Sequence, residues 1–188
     1  MIDNEEYQII ISPIGEVEST LSDLISSEVI RIFGLKTGIV PLMDRVDFAF
    51  DPKRRQYYST IILDKLAAAA PSQAVKVLAI TTEDLFIPIL THVYGEAQLG
   101  GKTCIISTCR LDEENPKTRP RNPFRHRVVK EAIHELGHTF KLRHCPEHSC
   151  VMHYCRSIED VDRKTDQLCR HCRVLLADEI DRIGVNVK

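Results

Sequence analysis

Apolar positions along this chain change period several times, and each change marks an element. Tyr7 to Ser12 reads Tyr-Gln-Ile-Ile-Ile-Ser, a short continuous run suited to a strand buried on both faces. Pro13 and Gly15 are expected to break it. From Val17 to Phe33 the apolar residues Val17, Leu21, Leu24, Ile25, Val29, Ile32 and Phe33 recur at helical spacing, and Gly34 stands where a C-terminal cap belongs. Gly38 to Leu42 is the next strand. This β-α-β opening predicts a parallel pair joined by a right-handed crossover. Val46 to Phe50 alternates as a short strand would, Gln56 to Ala70 reads as a helix stopped by Pro71, and Val75 to Ile80 is a strand. Thr82 to Leu85 is expected to form a turn or short helix.

Gly100-Gly101 separates the mixed segment His92 to Leu99 from the strand-like Thr103 to Ser107, which predicts a hairpin. The more polar arm, His92 to Leu99, suits a sheet edge. Arg110 to Asn122 is a charged loop. Asn122-Pro123 then offers a helix start, and Val128, Val129, Ala132, Ile133, Leu136 and Phe140 define one buried side. Two short helices, near Ser157 to Thr165 and Cys172 to Ile183, close the chain. Together these elements predict an α/β (α+β) architecture.

Composition narrows the picture. With 188 residues, 43% of them apolar, the chain supports one domain with a sizeable core. The acidic start and the lack of a long apolar stretch argue against a leader or a membrane span, so a soluble, cytoplasmic protein is expected. A net charge of -2 argues against general binding to nucleic acid. Lys117, Arg119, Arg121, Arg125, Arg127 and Lys130 cluster, but with little aromatic interleaving, and read as a solvated face. Cys145, Cys150, Cys155, Cys169 and Cys172 fall close together, a pattern that in a cytosolic chain points to metal rather than disulfides.

The chemistry lies on the motif helix. His134 and His138 sit one turn apart on one face, so both imidazoles can reach a single zinc ion. Glu135, beside the first ligand, can take a proton from a water on that metal and return it to a leaving amine, which points to peptide hydrolysis. His144 is the candidate third ligand. A continuing helix would carry it about 15 Å from His134, so the helix must stop soon after His138 and fold back.

The pattern His134-Glu135-x-x-His138-x-x-x-x-x-His144, with Met152 downstream, resembles the metzincin motif. With Cys145-x-x-x-x-Cys150-x-Met152 and Cys169-x-x-Cys172 it resembles the archaemetzincins, the metzincin subfamily with a second, cysteine-bound zinc. Ala79 to Leu85 and Tyr94 to Ala97 resemble that family's sheet region. The resemblance implies a metzincin-like catalytic domain, a twisted mixed sheet with an antiparallel edge strand packed on helices. It also implies a cysteine-zinc C-terminal segment and two zinc ions per chain, one catalytic and one structural. Residues 1–121 would form the sheet-rich part, 122–144 the active-site helix and turn, and 145–188 the Met-turn, structural zinc and last helix of a single domain.

A peptide or protein substrate would add as a strand to His92 to Leu99. Met152 would lie beneath the catalytic zinc as an apolar floor, and Tyr154 would stand where some metzincins place an assisting tyrosine. Cys145, Cys150, Cys169 and Cys172 would close a tetrahedral site without an open position. Cys155 fits that set less well. Cys104 and Cys109 read as packing residues, and His148, His153 and His171 as surface or supporting groups. Tyr94 and Glu96 are expected to border the cleft.

Lys141 departs from the family, which has Gly at this turn. A side chain in a left-handed conformation costs about 1–2 kcal/mol, and a cation here would stand near the metal. That leaves an alternative, a weakly active or inactive zinc-stabilised binding module. A zinc-ribbon nucleic-acid binder would have no use for Glu135 or His138.

Overall fold

The computed structural model describes residues 7–112 and 123–184. Five strands form the main sheet in the order β2-β1-β5-β8-β7: β1 (Gln8–Ile14), β2 (Thr37–Ile39), β5 (Ala74–Thr81), β7 (Gly95–Ala97) and β8 (Thr103–Ser107). All neighbours are parallel except β7, which pairs antiparallel with β8 at one edge. Three short strands, β3 (Phe50–Asp51), β4 (Gln56–Tyr58) and β6 (Leu85–Phe86), make a second sheet.

Strand periodicity divides the core. Ile9, Ile11, Leu78, Ile80, Cys104 and Ile106 face one side, where α1 (Ser19–Phe33), α3 (Pro123–Thr139) and α5 (Arg170–Ile183) contribute Ile25, Val29, Phe33, Ala132, Ile133, Leu136, Leu176 and Ile180. Ile10, Val77, Ala79 and Ile105 face the other, against Ile62, Leu63 and Leu66 of α2 (Ser59–Ala69). Alternate residues point to opposite faces, so the uninterrupted apolar strands are buried twice over. The β-α-β opening, the hairpin with its antiparallel edge and the motif helix are therefore as expected. Ser157 caps α4 (Ile158–Arg163), its side chain accepting from the Asp160 amide.

Several boundaries differ. β1 runs through Pro13 to Ile14, because β2 covers it only along Ile9 to Ile11 and a missing donor beyond that point breaks no ladder. Val46 to Phe50 is mainly a 3-10 turn over Asp47–Ala49, in which Val46 and Ala49 are buried three residues apart while Phe48 and Phe50 are exposed. Gln56 to Tyr58 is strand rather than helix, with Tyr57 paired to Leu85 and the Gln56 amide donating to Asp84 and the Thr91 carbonyl. The residues after Thr82 lead into strand β6 rather than a helix. β7 is only Gly95–Ala97, much shorter than His92 to Leu99.

Cys104 is buried in β8, but Cys109 lies beyond the strand and is exposed, so it is not a packing residue. Nor do Arg127 and Lys130 of the basic run belong to a solvated face. Arg127 is 1% exposed and donates twice to Asp162, and Lys130 donates to the Val161 and Asp162 carbonyls, tying α3 to α4. Lys117, Arg119, Arg121 and the expected cap Asn122 lie outside the described residues.

Candidate active site

The motif helix ends where its chemistry requires. After Thr139 the Lys141 and Leu142 amides turn back to donate to the His138 and Gly137 carbonyls, and Lys141 takes φ 61. From the β7–β8 hairpin the Gly100 amide also donates to the His138 carbonyl, and buried Lys76 donates to the Thr139 and Gly101 carbonyls. These donors satisfy carbonyls that a helix end leaves open. The reversal sends the chain back under the helix and delivers His144 to the His134–His138 face.

The three imidazoles converge. Their ring centroids lie 4.6 Å (His134–His138), 4.9 Å (His138–His144) and 5.3 Å (His134–His144) apart, and one nitrogen from each falls within 4.8 Å of the others. The Nε2 atoms of His134 and His138 are 3.1 Å apart, close to the ~3.3 Å that tetrahedral Zn–N bonds of about 2.0 Å impose. Nδ1 of His134 lies 2.8 Å from the Val151 carbonyl and Nδ1 of His138 lies 2.6 Å from that of Leu142. As donors, these nitrogens leave both Nε2 lone pairs free for a metal. Burial holds all three imidazoles below the usual histidine range, in the neutral form a ligand needs.

Glu135 is buried on the side of this helix facing β7. A Cβ at Gly95 would meet Glu135 Cγ at 2.5 Å and the Ile105 carbonyl at 2.8 Å, so strand and carboxylate approach closely only because residue 95 has no side chain. Burial, and then the neighbouring Glu131, push the Glu135 carboxyl well above the usual range, giving it the proton affinity of a base. Met152 is fully buried beneath the helix, and a Cβ at Gly137 would fall 2.6 Å from its sulfur. The Tyr154 ring is 4.9 Å from that of His144. A cavity of about 440 Å³ opens over these groups, lined also by Tyr94, Gly95, Glu131, Cys155, Arg156 and Lys164. Glu96 turns away, its carboxylate taken by Ser59 and Thr60 of α2, so it does not border the cleft as Tyr94 does.

Lys141 does not line this cavity. Its ammonium lies 2.9 Å from Glu179 of α5, so the cation that replaces the family's Gly reaches away from the imidazoles.

The four cysteines form the second group. Cys145, Cys150, Cys169 and Cys172 bring their sulfurs within 4.8 Å of one another, and the Cys145–Cys169 separation is 3.7 Å. Tetrahedral zinc with Zn–S bonds of about 2.3 Å places sulfurs ~3.8 Å apart. Burial pushes the Cys150 and Cys172 thiols up, whereas at Cys169 hydrogen bonds from the Cys172 amide and the neighbouring sulfurs outweigh burial and lower it. Cys155 stands apart in the active-site cavity. His153 Nδ1 donates to the Cys145 carbonyl at 2.9 Å, and His148 Nδ1 lies 3.1 Å from His153 Nε2. His171 is exposed on α5.

One pair escaped the sequence. Lys164 is buried completely, 2.8 Å from Glu131 and 3.5 Å from His134 Nδ1. Glu131 precedes His134 by one turn and shares its face, a signal that helical spacing contained. Nothing local marks Lys164.

Residues 4–178 match the model of peptidase family M54. An archaemetzincin of Methanopyrus kandleri is 39% identical over 138 residues, covering 73% of this chain and 75% of that protein. A crystal structure of the Methanopyrus kandleri archaemetzincin superposes with a TM-score of 0.81 at 30% identity, covering 97% of this chain and 100% of that one. The zinc-dependent peptidase of Methanocorpusculum labreanum gives 0.79 at 28% identity, over 89% and 99%. The chain therefore belongs to peptidase family M54, the archaemetzincins, and is a zinc metallopeptidase.

Proposed function

We propose that residues 1–188 act as a single domain that hydrolyses peptide bonds with Glu135 as general base. His134, His138 and His144 hold the catalytic zinc, and Cys145, Cys150, Cys169 and Cys172 hold a second, structural one. The observation that carries this reading is the convergence of three neutral imidazoles beside a buried, proton-avid carboxylate under a sheet edge. Zinc bound there supplies a Lewis acid that polarises the scissile carbonyl and acidifies its attacking water. Glu135 accepts the proton from that water and delivers it to the leaving amine. Met152 fills the space below the imidazoles and keeps their geometry dry.

The substrate is a peptide or protein segment in extended form. β7 ends the sheet, and among the described residues no strand pairs with its outer edge beside Gly95, where a peptide can add antiparallel across the cavity. The cysteine site has no position for water and ties the Met152 turn to α5. Since Cys145 follows His144, that site also steadies the third imidazole.

Metal content and peptide cleavage, measured together for wild type and Glu135→Ala, test this. Two zinc ions are expected in both proteins, with cleavage falling at least about 100-fold in the variant. Cleavage that persists at the wild-type rate would overturn the mechanism.

A further inference from the structure

Two cavities share Tyr154 and Arg156 in their walls. Arg156 lines the active-site cavity and an adjoining one of about 420 Å³ walled by His148, His153, Tyr154, Asp160 and Arg163. Tyr154 forms the partition: its ring lies 4.9 Å from that of His144, and the Arg156 guanidinium carbon lies 5.8 Å from the Tyr154 ring. Those two steps place the guanidinium within about 11 Å of His144. An extended peptide advances about 3.3 Å per residue, so this is a reach of two or three residues.

The permanent cations on these walls are not equivalent. Lys164 is bound to Glu131 at 2.8 Å, and Arg163 to Asp160 at 3.2 Å. The Asp160 carboxylate also accepts from the Arg156 amide at 3.0 Å, and the Asp160 amide donates to the Ser157 hydroxyl. The Arg156 side chain takes part in no ion pair among the described residues and lies over the Tyr154 ring. A guanidinium is shaped to hold a carboxylate through two parallel hydrogen bonds. An exposed one without an ion pair among the described residues, at the junction of a catalytic cavity and a side pocket, fits a carboxylate brought by the substrate.

We propose that Arg156 is a specificity-determining residue that receives a carboxylate of the bound peptide within three residues of the scissile bond, on the Tyr154 side of the imidazoles. The substrates favoured are peptides carrying there an acidic side chain or their free C-terminal carboxylate. This inference rests on the peptidase reading. It gives His148 and His153 a place too, as the far wall of the pocket that the acidic residue enters.

The experiment uses zinc-loaded protein carrying Glu135→Ala as a non-cleaving trap. Fluorescent peptides identical except for Glu or Gln at one scanned position, each with a free or amidated C-terminus, are titrated by anisotropy. Glu over Gln at one position, or free acid over amide, is expected to tighten binding about tenfold, and the responding arm identifies the source of the carboxylate. Adding Arg156→Gln should erase that difference, and Arg156→Lys should restore part of it. Equal binding of all four peptide forms, or a preference that survives Arg156→Gln, would overturn the assignment. Wild-type cleavage without any carboxylate preference removes the role of Arg156 and leaves the peptidase reading standing. Zinc-loaded wild type that cleaves none of the peptides removes both.

Discussion

At the scale of single residues, the site is shaped as much by side chains that are absent as by those present. Gly137 lies inside the motif, one residue before His138, and its missing Cβ is what admits the Met152 sulfur under the helix. Gly137→Ala improves local helix propensity by about 1 kcal/mol. It also drives a methyl group into a fully buried methionine, an overpacking that costs about 1–3 kcal/mol. The expected result is a net loss of stability in denaturant titration, with reduced peptide cleavage because the imidazoles above shift with Met152. Unchanged stability together with unchanged cleavage would show that Met152 is not a close-packed floor. Lys141 illustrates the opposite case. Sequence alone places a cation at the turn, but the direction of its side chain depends on Glu179, far away in the chain, and that partner takes it out of the site.

At the scale of elements, the active-site helix is held at its C-terminal end by the sheet. Lys76 of β5 is buried and donates to the last carbonyl of α3, that of Thr139, and to the hairpin at Gly101. Burial, the largest influence, lowers its ammonium from 10.5 to about 8. Between pH 8 and about 10.5 the unfolded chain therefore binds more protons at this position than the folded one, and stability rises with pH across that window. Below pH 8 both states are charged and the contribution is constant. The melting temperature of wild type relative to Lys76→Met is accordingly expected to improve as pH goes from 8 to 10. A gap that stays flat over that range would show that Lys76 keeps its charge in the folded protein. In the sequence Lys76 was visible only as the polar member of an apolar strand. Its two carbonyl partners belong to residues brought near by the sheet and the helix reversal.

For the whole molecule, the decisive link runs from the cysteine group to the histidine group. The Cys145 amide donates to the Met152 carbonyl, the Val151 amide donates to the Gln167 carbonyl, and the Val151 carbonyl faces His134. Loss of a metal from the proposed cysteine site should thus loosen both the Met152 turn and His144. Cys169→Ser with Cys172→Ser is expected to lower the melting temperature by many degrees, since a closed cysteine site contributes directly to folding. It should also reduce metal retained at the histidines, read as total zinc falling below one ion per chain after mild dialysis. One tightly held zinc and an unchanged melting temperature would uncouple the two groups. Among the described residues no helix is long and apolar enough to cross a membrane.

What the sequence determined by itself is what depends on spacing along the chain. Two histidines one turn apart, the glutamate between them, the Cys-x-x-Cys pair, the twice-buried strands and the need for the helix to end near His138 all follow from the fixed geometry of helix and strand. Glycine at 137 and the one-turn offset of Glu131 were present in the same periodicity. Tertiary structure alone decided the rest. It set the shortness of β7, the burial of Arg127 against Asp162, the outward turn of Glu96 to Ser59 and Thr60, the Glu131–Lys164 pair and the place of Arg156 at the cavity junction, without an ion pair among the described residues. The pairs of Arg127, Glu96 and Glu131 each join segments far apart in sequence. Whether a charged side chain is buried, paired or left for a ligand is fixed by what the fold packs against it, and no local pattern carries that information.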